Sequence, residues 1–192
     1  MLVLASASPR RRELVARLVG EFRVEVPGVD ETLPPGVAPE SAARAIAERK
    51  ARVVATATDE PVLAADTIVV AESGEILGKP SDADDARRML GALSGTTHRV
   101  ITGVCLAGGR GARLAGASAT TRVTMRPLAP EEIAAYVATG ESFDKAGAYA
   151  IQETGDRFVT GVDGSWTNVV GLPLETVDRM LRAAGIVTRP WA

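Results

Sequence analysis

The length, composition and charge of the chain already exclude several classes of protein. Its 192 residues are 46% hydrophobic but only 4% aromatic, so we expect a sizeable core filled mainly by Ala, Val and Leu. The formal net charge of −2 argues against a surface that coats nucleic acid. With one Cys and one His, the chain can form neither an internal disulfide nor a zinc site of Cys and His ligands.

The opening stretch LVLASASPRRRELVARL, residues 2–18, predicts a short strand that leads into a helix. Ser8 is a good N-cap and Pro9 suits the first helical turn. Three arginines follow, although the N-terminus of a helix already carries partial positive charge. One interpretation is a phosphate site made of helix N–H groups, serine hydroxyls and guanidinium groups. The alternative is a solvated basic turn with Arg11 and Arg12 in water.

The remaining pattern alternates strands and helices, then adds an antiparallel pair. We predict, in chain order, a strand at 22–26, a Pro/Gly-rich loop at 27–36, a helix at 38–57, a strand at 61–71, a hairpin or tight turn at 72–82, a helix at 83–93, strands at 98–108 and 112–128, a helix at 129–140, an irregular segment at 141–155, a strand with an Asp–Gly turn and a loop at 158–171, and a helix at 172–185. This order favours an α/β fold with a mixed sheet. We expect a single domain over 1–192, with a second lobe over roughly 82–140.

Asp66 interrupts the apolar run of the strand at 61–71. A buried carboxylate costs several kcal/mol, roughly, unless it is paired or bound to a metal. A functional Asp66 could hold a divalent cation or orient a water molecule. The alternative is a carboxylate that accepts backbone N–H bonds at a bulge, assisted by Thr67.

Other polar residues are weaker candidates when taken singly. Glu31 lies in the Pro/Gly loop, Lys50 late in a helix and Lys79 in the turn LGKP, where a fixed lysine could neutralise a triphosphate. Gln152 could read the edge of a base, because its amide both donates and accepts. His98 and Cys105 are separated by an odd number of residues in one predicted strand, so they should face opposite sides of the sheet and be structural.

Seven blocks of the sequence resemble, in order, those of the Maf family of nucleotide pyrophosphatases. They are LASASPRRRELV, VDET, AADTIVV, LGKP, LSGTTHRVITGV, DKAGAYAIQ and VVGLPL, and they run from Leu4 to about Leu174. The resemblance implies an α/β mixed sheet with a cleft between two lobes, similar to inosine triphosphate pyrophosphatases. It also implies hydrolysis of a nucleoside triphosphate to a monophosphate and pyrophosphate with Mg²⁺ or Mn²⁺, in a cytoplasmic and often dimeric enzyme that cleans the nucleotide pool.

The resemblance also implies roles for individual residues. Asp66 matches the proton acceptor, and Arg10, Thr67 and Gln152 match the substrate-specificity positions. Other polar positions of the cleft are matched by Ser8, Arg11, Glu31, Lys50 and Lys79. As a hypothesis built on these matches, Ser8, Arg11, Lys50 and Lys79 bind phosphate, and Glu31 and Asp66 hold the metal. The blocks SPRR, ADT and DKAGAYAIQ resemble the branch that acts on dTTP and UTP, although Ala150 and Glu153 stand where glycine is common.

Two other functions are compatible with the sequence. A nucleotidyltransferase also releases pyrophosphate but needs an acceptor substrate, and its loop is normally glycine-rich, whereas SASPRRR has no glycine. A non-catalytic nucleotide-binding regulator of septum formation is the other alternative. Because no run of eighteen apolar residues occurs and the N-terminus lacks a secretory pattern, we expect no membrane span and a cytoplasmic location. The expected partners are the nucleotide and a second copy of the chain, not nucleic acid.

Overall fold

The fold is a mixed α/β arrangement built on a seven-stranded sheet. The computed structural model describes residues 1–33, 36–112, 114–152 and 154–191. The strands are β1 (Leu2–Ala5), β2 (Phe22–Glu25), β3 (Val62–Val70), β4 (Ile76–Leu77), β5 (Thr97–Ala107), β6 (Leu114–Met125) and β7 (Val159–Asp163). The helices in these ranges are α1 (Pro9–Leu18), α2 (Pro39–Ala55), α3 (Ala83–Leu93), α4 (Pro130–Ala138), α5 (Trp166–Val170) and α6 (Leu174–Ala183).

The sheet contains both parallel and antiparallel pairs, which confirms the predicted mixed sheet. Its strand order is β2-β1-β3-β5-β6-β7, and the short β4 pairs with β3. β1 runs parallel to both β2 and β3, whereas β4 is antiparallel to β3 and β7 is antiparallel to β6. The parallel strands are joined by helices, as parallel connections require.

The chain divides into two compact units that interleave along the sequence. The first comprises residues 1–66, 102–119 and 171–192, and the second comprises 67–101 and 120–170. A core cluster of the first unit is rich in small side chains, among them Ala47, Ala51 and Ala64. The second unit buries larger ones, including Tyr136 and Phe158, whose rings make an edge-to-face contact with centroids 5.0 Å apart.

Local capping explains where the helices begin. The Ser8 side chain accepts a hydrogen bond from the Arg11 N–H at the start of α1, and Asp82 accepts one from the Asp85 N–H at the start of α3. The apolar residues of α1 that predicted a helix are buried in the structure: Leu14, Val15 and Leu18.

One predicted element differs from the structure. We expected a loop after the strand and Asp–Gly turn of segment 158–171, but residues Trp166–Val170 form the short helix α5. The Ser165 hydroxyl accepts the Asn168 N–H at 3.2 Å and so stabilises this turn. The other predicted helices and strands are present within one to three residues of their expected ends, and the irregular segment 141–155 contains only short 3-10 turns.

His98 and Cys105 are both buried residues of β5. His98 Nε2 lies 2.7 Å from the Tyr149 hydroxyl, and the two rings make an edge contact with centroids 5.5 Å apart. Burial raises the pKa of the Cys105 thiol to about 11, so the thiolate is scarce at neutral pH. The buried thiol agrees with the structural role expected for Cys105, and His98 contributes a buried polar contact to Tyr149.

Burial of His98 should make the fold sensitive to mild acid. Desolvation lowers the pKa of His98 to about 4 from its ordinary 6.5. Between pH 6.5 and about pH 4 the imidazole of His98 is protonated in the unfolded chain but neutral in the folded chain. The free energy of unfolding therefore falls as the pH drops below 6.5. We expect this residue to reduce the free energy of unfolding by about 2 kcal/mol between pH 7 and pH 5.

Urea unfolding of the wild type and of His98→Gln at both pH values measures this contribution. Because the two proteins share every carboxylate, the difference between their pH responses isolates the imidazole. An equal fall in stability for both proteins would show that His98 is not the acid-sensitive group.

None of the helices in the described ranges combines the length and the apolar character needed to cross a bilayer.

Candidate active site

The parallel register of the first unit brings several polar segments to one edge of the sheet. Ala5, the last residue of β1, lies beside Glu25 of β2 and Ala64 of β3. The start of α1, the loop after β2 and Asp66 therefore follow these strands in the same direction. The edge beyond the carboxyl ends of parallel strands is where open α/β sheets bind ligands.

Helix α1 presents its N-terminus at this edge. The Ser8 hydroxyl accepts the Arg11 N–H at 3.4 Å, and the Ser8 N–H donates in turn to the Ser6 hydroxyl at 3.1 Å. Ser6 is buried, whereas Ser8 and Arg10 are half-buried. The turn before α1 is therefore stabilised by the hydroxyl groups of Ser6 and Ser8. The first N–H groups of α1 lie at the same edge of the sheet as Arg10 and Arg11.

Lys50 joins the two predicted acidic residues of the first unit. Its ammonium nitrogen lies 2.7 Å from Asp66 Oδ1 and 3.0 Å from Glu31 Oε1. The side chains of Lys50 and Asp66 are only 7% and 11% exposed, whereas that of Glu31 is 50% exposed. Asp66 is thus a buried carboxylate with a lysine partner.

Arg11 is not the freely solvated residue that the alternative interpretation requires. Its guanidinium Nε donates to the carbonyl oxygen of Gly171 at 2.8 Å, and the side chain is partly buried. Burial lowers the pKa of Arg11 below its ordinary value, while the negative charges of Asp66 and Glu31 oppose that shift. The neighbouring charge of Arg10 lowers the same pKa further. Arg12, in contrast, is exposed as that interpretation expects.

This group of residues brings charges of both signs together. It contains three cations, Arg10, Arg11 and Lys50, and two carboxylates, Asp66 and Glu31. The positive end of the α1 dipole adds to this field. A partly desolvated group of cations of this kind attracts an anion.

The second unit carries the other predicted site residues. Thr67 follows Asp66 in β3 and is half-buried, and its side chain points to the opposite face of the strand. Lys79 is exposed in the turn after β4. Gln152 is also exposed and directly follows the buried residues 147–151. A hydrogen bond of 3.0 Å from the Gly147 N–H to the Gly78 carbonyl connects the chain segment of Gln152 with the turn of Lys79.

A groove of about 570 Å³ lies along α2 and contains none of the predicted residues. It is lined by Ser41, Arg44, Ala45, Glu48, Arg52, Cys105 and Gly116. Arg52 is already neutralised by its ion pair with Glu48 in the same helix. We therefore place the candidate active site at the strand ends, where the buried charges are, and not in this groove.

Two long-range contacts were missed by reasoning from the sequence. The Gly171 carbonyl that orients Arg11 belongs to the block VVGLPL, but a backbone acceptor 160 residues away leaves no local signal. The His98–Tyr149 hydrogen bond joins β5 to the segment that ends at Gln152. A fully buried histidine in an apolar strand was the available signal, since it needs a polar partner.

Comparisons with known proteins match this chain along nearly its whole length. Residues 1–184 match the family model described as Maf-like protein. A dTTP/UTP pyrophosphatase of Anaeromyxobacter sp. (strain Fw109-5) is 54% identical over 187 residues, which cover 96% of this chain and 89% of that protein. A dTTP/UTP pyrophosphatase of Koribacter versatilis is 49% identical over 187 residues, covering 97% and 95%.

A solved structure supports the fold alone. The Staphylococcus aureus Ham1 protein superposes with a TM-score of 0.54 at 13% identity, covering 95% of this chain and 98% of that one. The family model spans nearly the whole sequence, and the relatives are about half identical to it. The chain therefore belongs to the Maf family.

Proposed function

We propose that this protein hydrolyses nucleoside triphosphates, with dTTP and UTP preferred, to the monophosphate and pyrophosphate. The observation that carries the proposal is the buried Lys50 between Asp66 and Glu31 beside Arg11, in a chain whose relatives bear the name dTTP/UTP pyrophosphatase. Removal of such triphosphates would clean the nucleotide pool.

The cations of the site would bind the phosphates. A triphosphate carries three or four negative charges, and Arg10, Arg11 and Lys50 together with the α1 dipole would offset part of them. The Gly171 carbonyl accepts the Nε–H of Arg11, and this contact orients the guanidinium group. Ser8, Arg10, Lys50 and Lys79 would add hydrogen bonds and charge to the same task.

Asp66 would act on the attacking water. Lys50 holds one of its carboxylate oxygens at 2.7 Å, which leaves the second oxygen to accept a proton from water. That water attacks the α-phosphorus, the bond to the bridging oxygen breaks, and pyrophosphate leaves. The proton passes to Asp66 in this step. A carboxylate that is saturated by a metal ion cannot also be a free base, so the base role requires one oxygen of Asp66 to stay off the metal.

A divalent cation, Mg²⁺ or Mn²⁺, fits the acidic residues present. The carboxylates of Asp66 and Glu31 lie close together, because each forms an ion pair with the Lys50 ammonium. Within the described ranges no cluster of three or more His, Cys, Asp or Glu side chains could hold a metal. Mg²⁺ commonly uses one or two carboxylates together with substrate phosphates, so Asp66 and Glu31 would hold it. Once bound, the ion neutralises charge on the phosphate oxygens.

Gln152 would select the base, with Arg10 and Thr67 as further specificity positions. We expect Gln152→Ala to lower the ratio of kcat/KM for dTTP to that for dATP by about tenfold, the scale of one lost hydrogen bond. Steady-state assays of both substrates check this. An unchanged ratio in the folded variant would remove the base-reading role from Gln152.

The reaction itself is tested by product analysis in ¹⁸O-labelled water. Purified protein receives dTTP, UTP and other triphosphates with Mg²⁺, with Mn²⁺ or with a chelator and no metal. The expected products are monophosphate and pyrophosphate in equal amounts, with the label in the monophosphate and with turnover only when metal is present.

Other products would overturn the proposal. Diphosphate and inorganic phosphate would mean attack at the γ-phosphorus. Pyrophosphate release only after addition of an acceptor would identify a nucleotidyltransferase. Binding of dTTP without any turnover would favour the non-catalytic regulator.

We also propose that the protein works in the cytoplasm as a homodimer and binds neither nucleic acid nor membranes. The net charge of −2 and the single buried thiol support this setting. Light scattering of the purified protein tests the dimer.

A further inference from the structure

We propose that His98 is a positioning residue for base selection, acting through Tyr149 on Gln152. This inference rests on the proposed function, because it assigns the residue that holds the base-reading side chain. His98 belongs to β5, and Tyr149 and Gln152 belong to the segment between α4 and β7.

The contact between His98 and Tyr149 is short and buried. Nε2 of His98 lies 2.7 Å from the Tyr149 hydroxyl, His98 is 0% exposed and Tyr149 is 6% exposed. The other ring nitrogen, Nδ1, has no hydrogen-bond partner among the described residues. Keeping a half-satisfied histidine in the core is costly, and an apolar residue would fill this place at lower cost. The contact with the Tyr149 hydroxyl is therefore the interaction that favours a histidine at this place.

The backbone around Tyr149 is in a conformation that needs such support. Ala148 has a φ of +62°, which is rare for a residue with a side chain, and Gly147 has a φ of +72°. The Gly147 N–H donates to the Gly78 carbonyl at 3.0 Å, and a Cβ atom at Gly147 would approach the Val69 side chain to 3.1 Å. Such a conformation persists only where surrounding contacts determine it.

The backbone of residues 147–151 leads directly to Gln152. Residues 147–151 are all buried, and Gln152 is the first exposed residue after them. Tyr149 is the one residue of this buried run whose side chain ends in a hydrogen-bonding group. The hydrogen bond between His98 of the sheet and Tyr149 therefore fixes where the backbone leaves the core and reaches the surface. In this way it also positions the Gln152 amide.

The test compares selectivity among four variants. Ratios of kcat/KM for dTTP to dATP are measured for Tyr149→Phe, His98→Leu, His98→Gln and the control Thr97→Val. Tyr149→Phe keeps the ring and removes only the hydroxyl. Gln at position 98 can still reach Tyr149 with its amide, whereas Leu cannot. Thr97→Val removes the hydrogen bond to Thr124 Oγ1, one residue away in β5 and outside the segment.

We expect the ratio to fall about tenfold in Tyr149→Phe and His98→Leu, mainly through a higher KM for dTTP, with kcat within about threefold of the wild type. His98→Gln should restore the ratio to within about twofold, and Thr97→Val should not change it. In a Gln152→Ala background Tyr149→Phe should have no further effect on the ratio, because both changes act on one contact.

Other results would overturn the inference. If Tyr149→Phe lowers the melting temperature but keeps the wild-type ratio, the pair is structural only. If its effect adds in full to that of Gln152→Ala, it does not act through Gln152. Should His98→Leu fail to fold, Tyr149→Phe decides alone. Failure of the proposed function is distinguishable, since the wild type would then not hydrolyse dTTP at all.

Discussion

Replacement of Asp66 by Asn is expected to lower kcat for dTTP hydrolysis by about a hundredfold or more, the usual scale for losing acid–base assistance. The amide keeps the shape of the side chain but removes its charge and its ability to take a proton from water. The same loss is expected whether Asp66 serves as base or as metal ligand, because both roles need the carboxylate.

Folding should survive this substitution. Lys50 keeps a carboxylate partner in Glu31 at 3.0 Å, so the ammonium is not left without a counter-charge. The melting temperature and the affinity for a non-hydrolysable dTTP analogue should therefore change little compared with kcat. The matched control is Asp59→Asn, which alters an exposed aspartate paired with Arg110 on the surface of the same unit. Near-normal turnover of the Asp66→Asn protein would refute the assignment.

A titration with metal separates the two roles of Asp66. If Asp66 is mainly a ligand, high Mn²⁺ concentrations should recover part of the activity of Asp66→Asn, because the amide oxygen can still coordinate. A base role predicts no recovery at any metal concentration. The two outcomes therefore choose between roles that the sequence leaves open.

Most elements of the fold could be predicted because their signals are local. Ser8 and Pro9 mark the start of α1, and the apolar spacing of Leu14, Val15 and Leu18 marks its buried face. Asp82 marks the start of α3 in the same way. The short helix α5 was missed, since five residues carry too little periodicity. It depends on Asn168, whose side-chain amide donates to the Val100 carbonyl at 3.0 Å.

The sequence indicated individual candidate residues of the site, but it did not indicate which of them lie next to each other. A charge in an apolar strand marks Asp66, because burial demands a partner. The sequence could not say that the partner is Lys50, which lies 16 residues earlier in a helix where a lysine is ordinary. Likewise, the burial of Arg11 depends on the distant carbonyl of Gly171. Pairings of this kind follow from the parallel register of the strands, which no local pattern encodes.

Lys50→Met is expected to be the most destabilising of the charge substitutions considered. The ammonium lies between Asp66 and Glu31, and its side chain is only 7% exposed. Methionine has a similar length but no charge, so the buried Asp66 carboxylate loses its partner at 2.7 Å. Breaking a buried ion pair on one side typically costs about 3–5 kcal/mol, and we expect a loss of this size in the free energy of unfolding at pH 7.

The double variant Lys50→Met/Asp66→Asn tests the physical reason for this loss. If the cost arises from the orphaned carboxylate, the neutral amide should recover about 2 kcal/mol or more relative to Lys50→Met alone. Arg52→Met is the control, because Arg52 lies in the same helix but is 61% exposed in its pair with Glu48, and such pairs contribute about 1 kcal/mol at most. Equal losses for Lys50→Met and the double variant would mean that the loss of stability does not arise from the orphaned Asp66 carboxylate. In either case we expect Lys50→Met to lower the rate of dTTP hydrolysis more than about tenfold, because one of the cations proposed to bind the phosphates is removed.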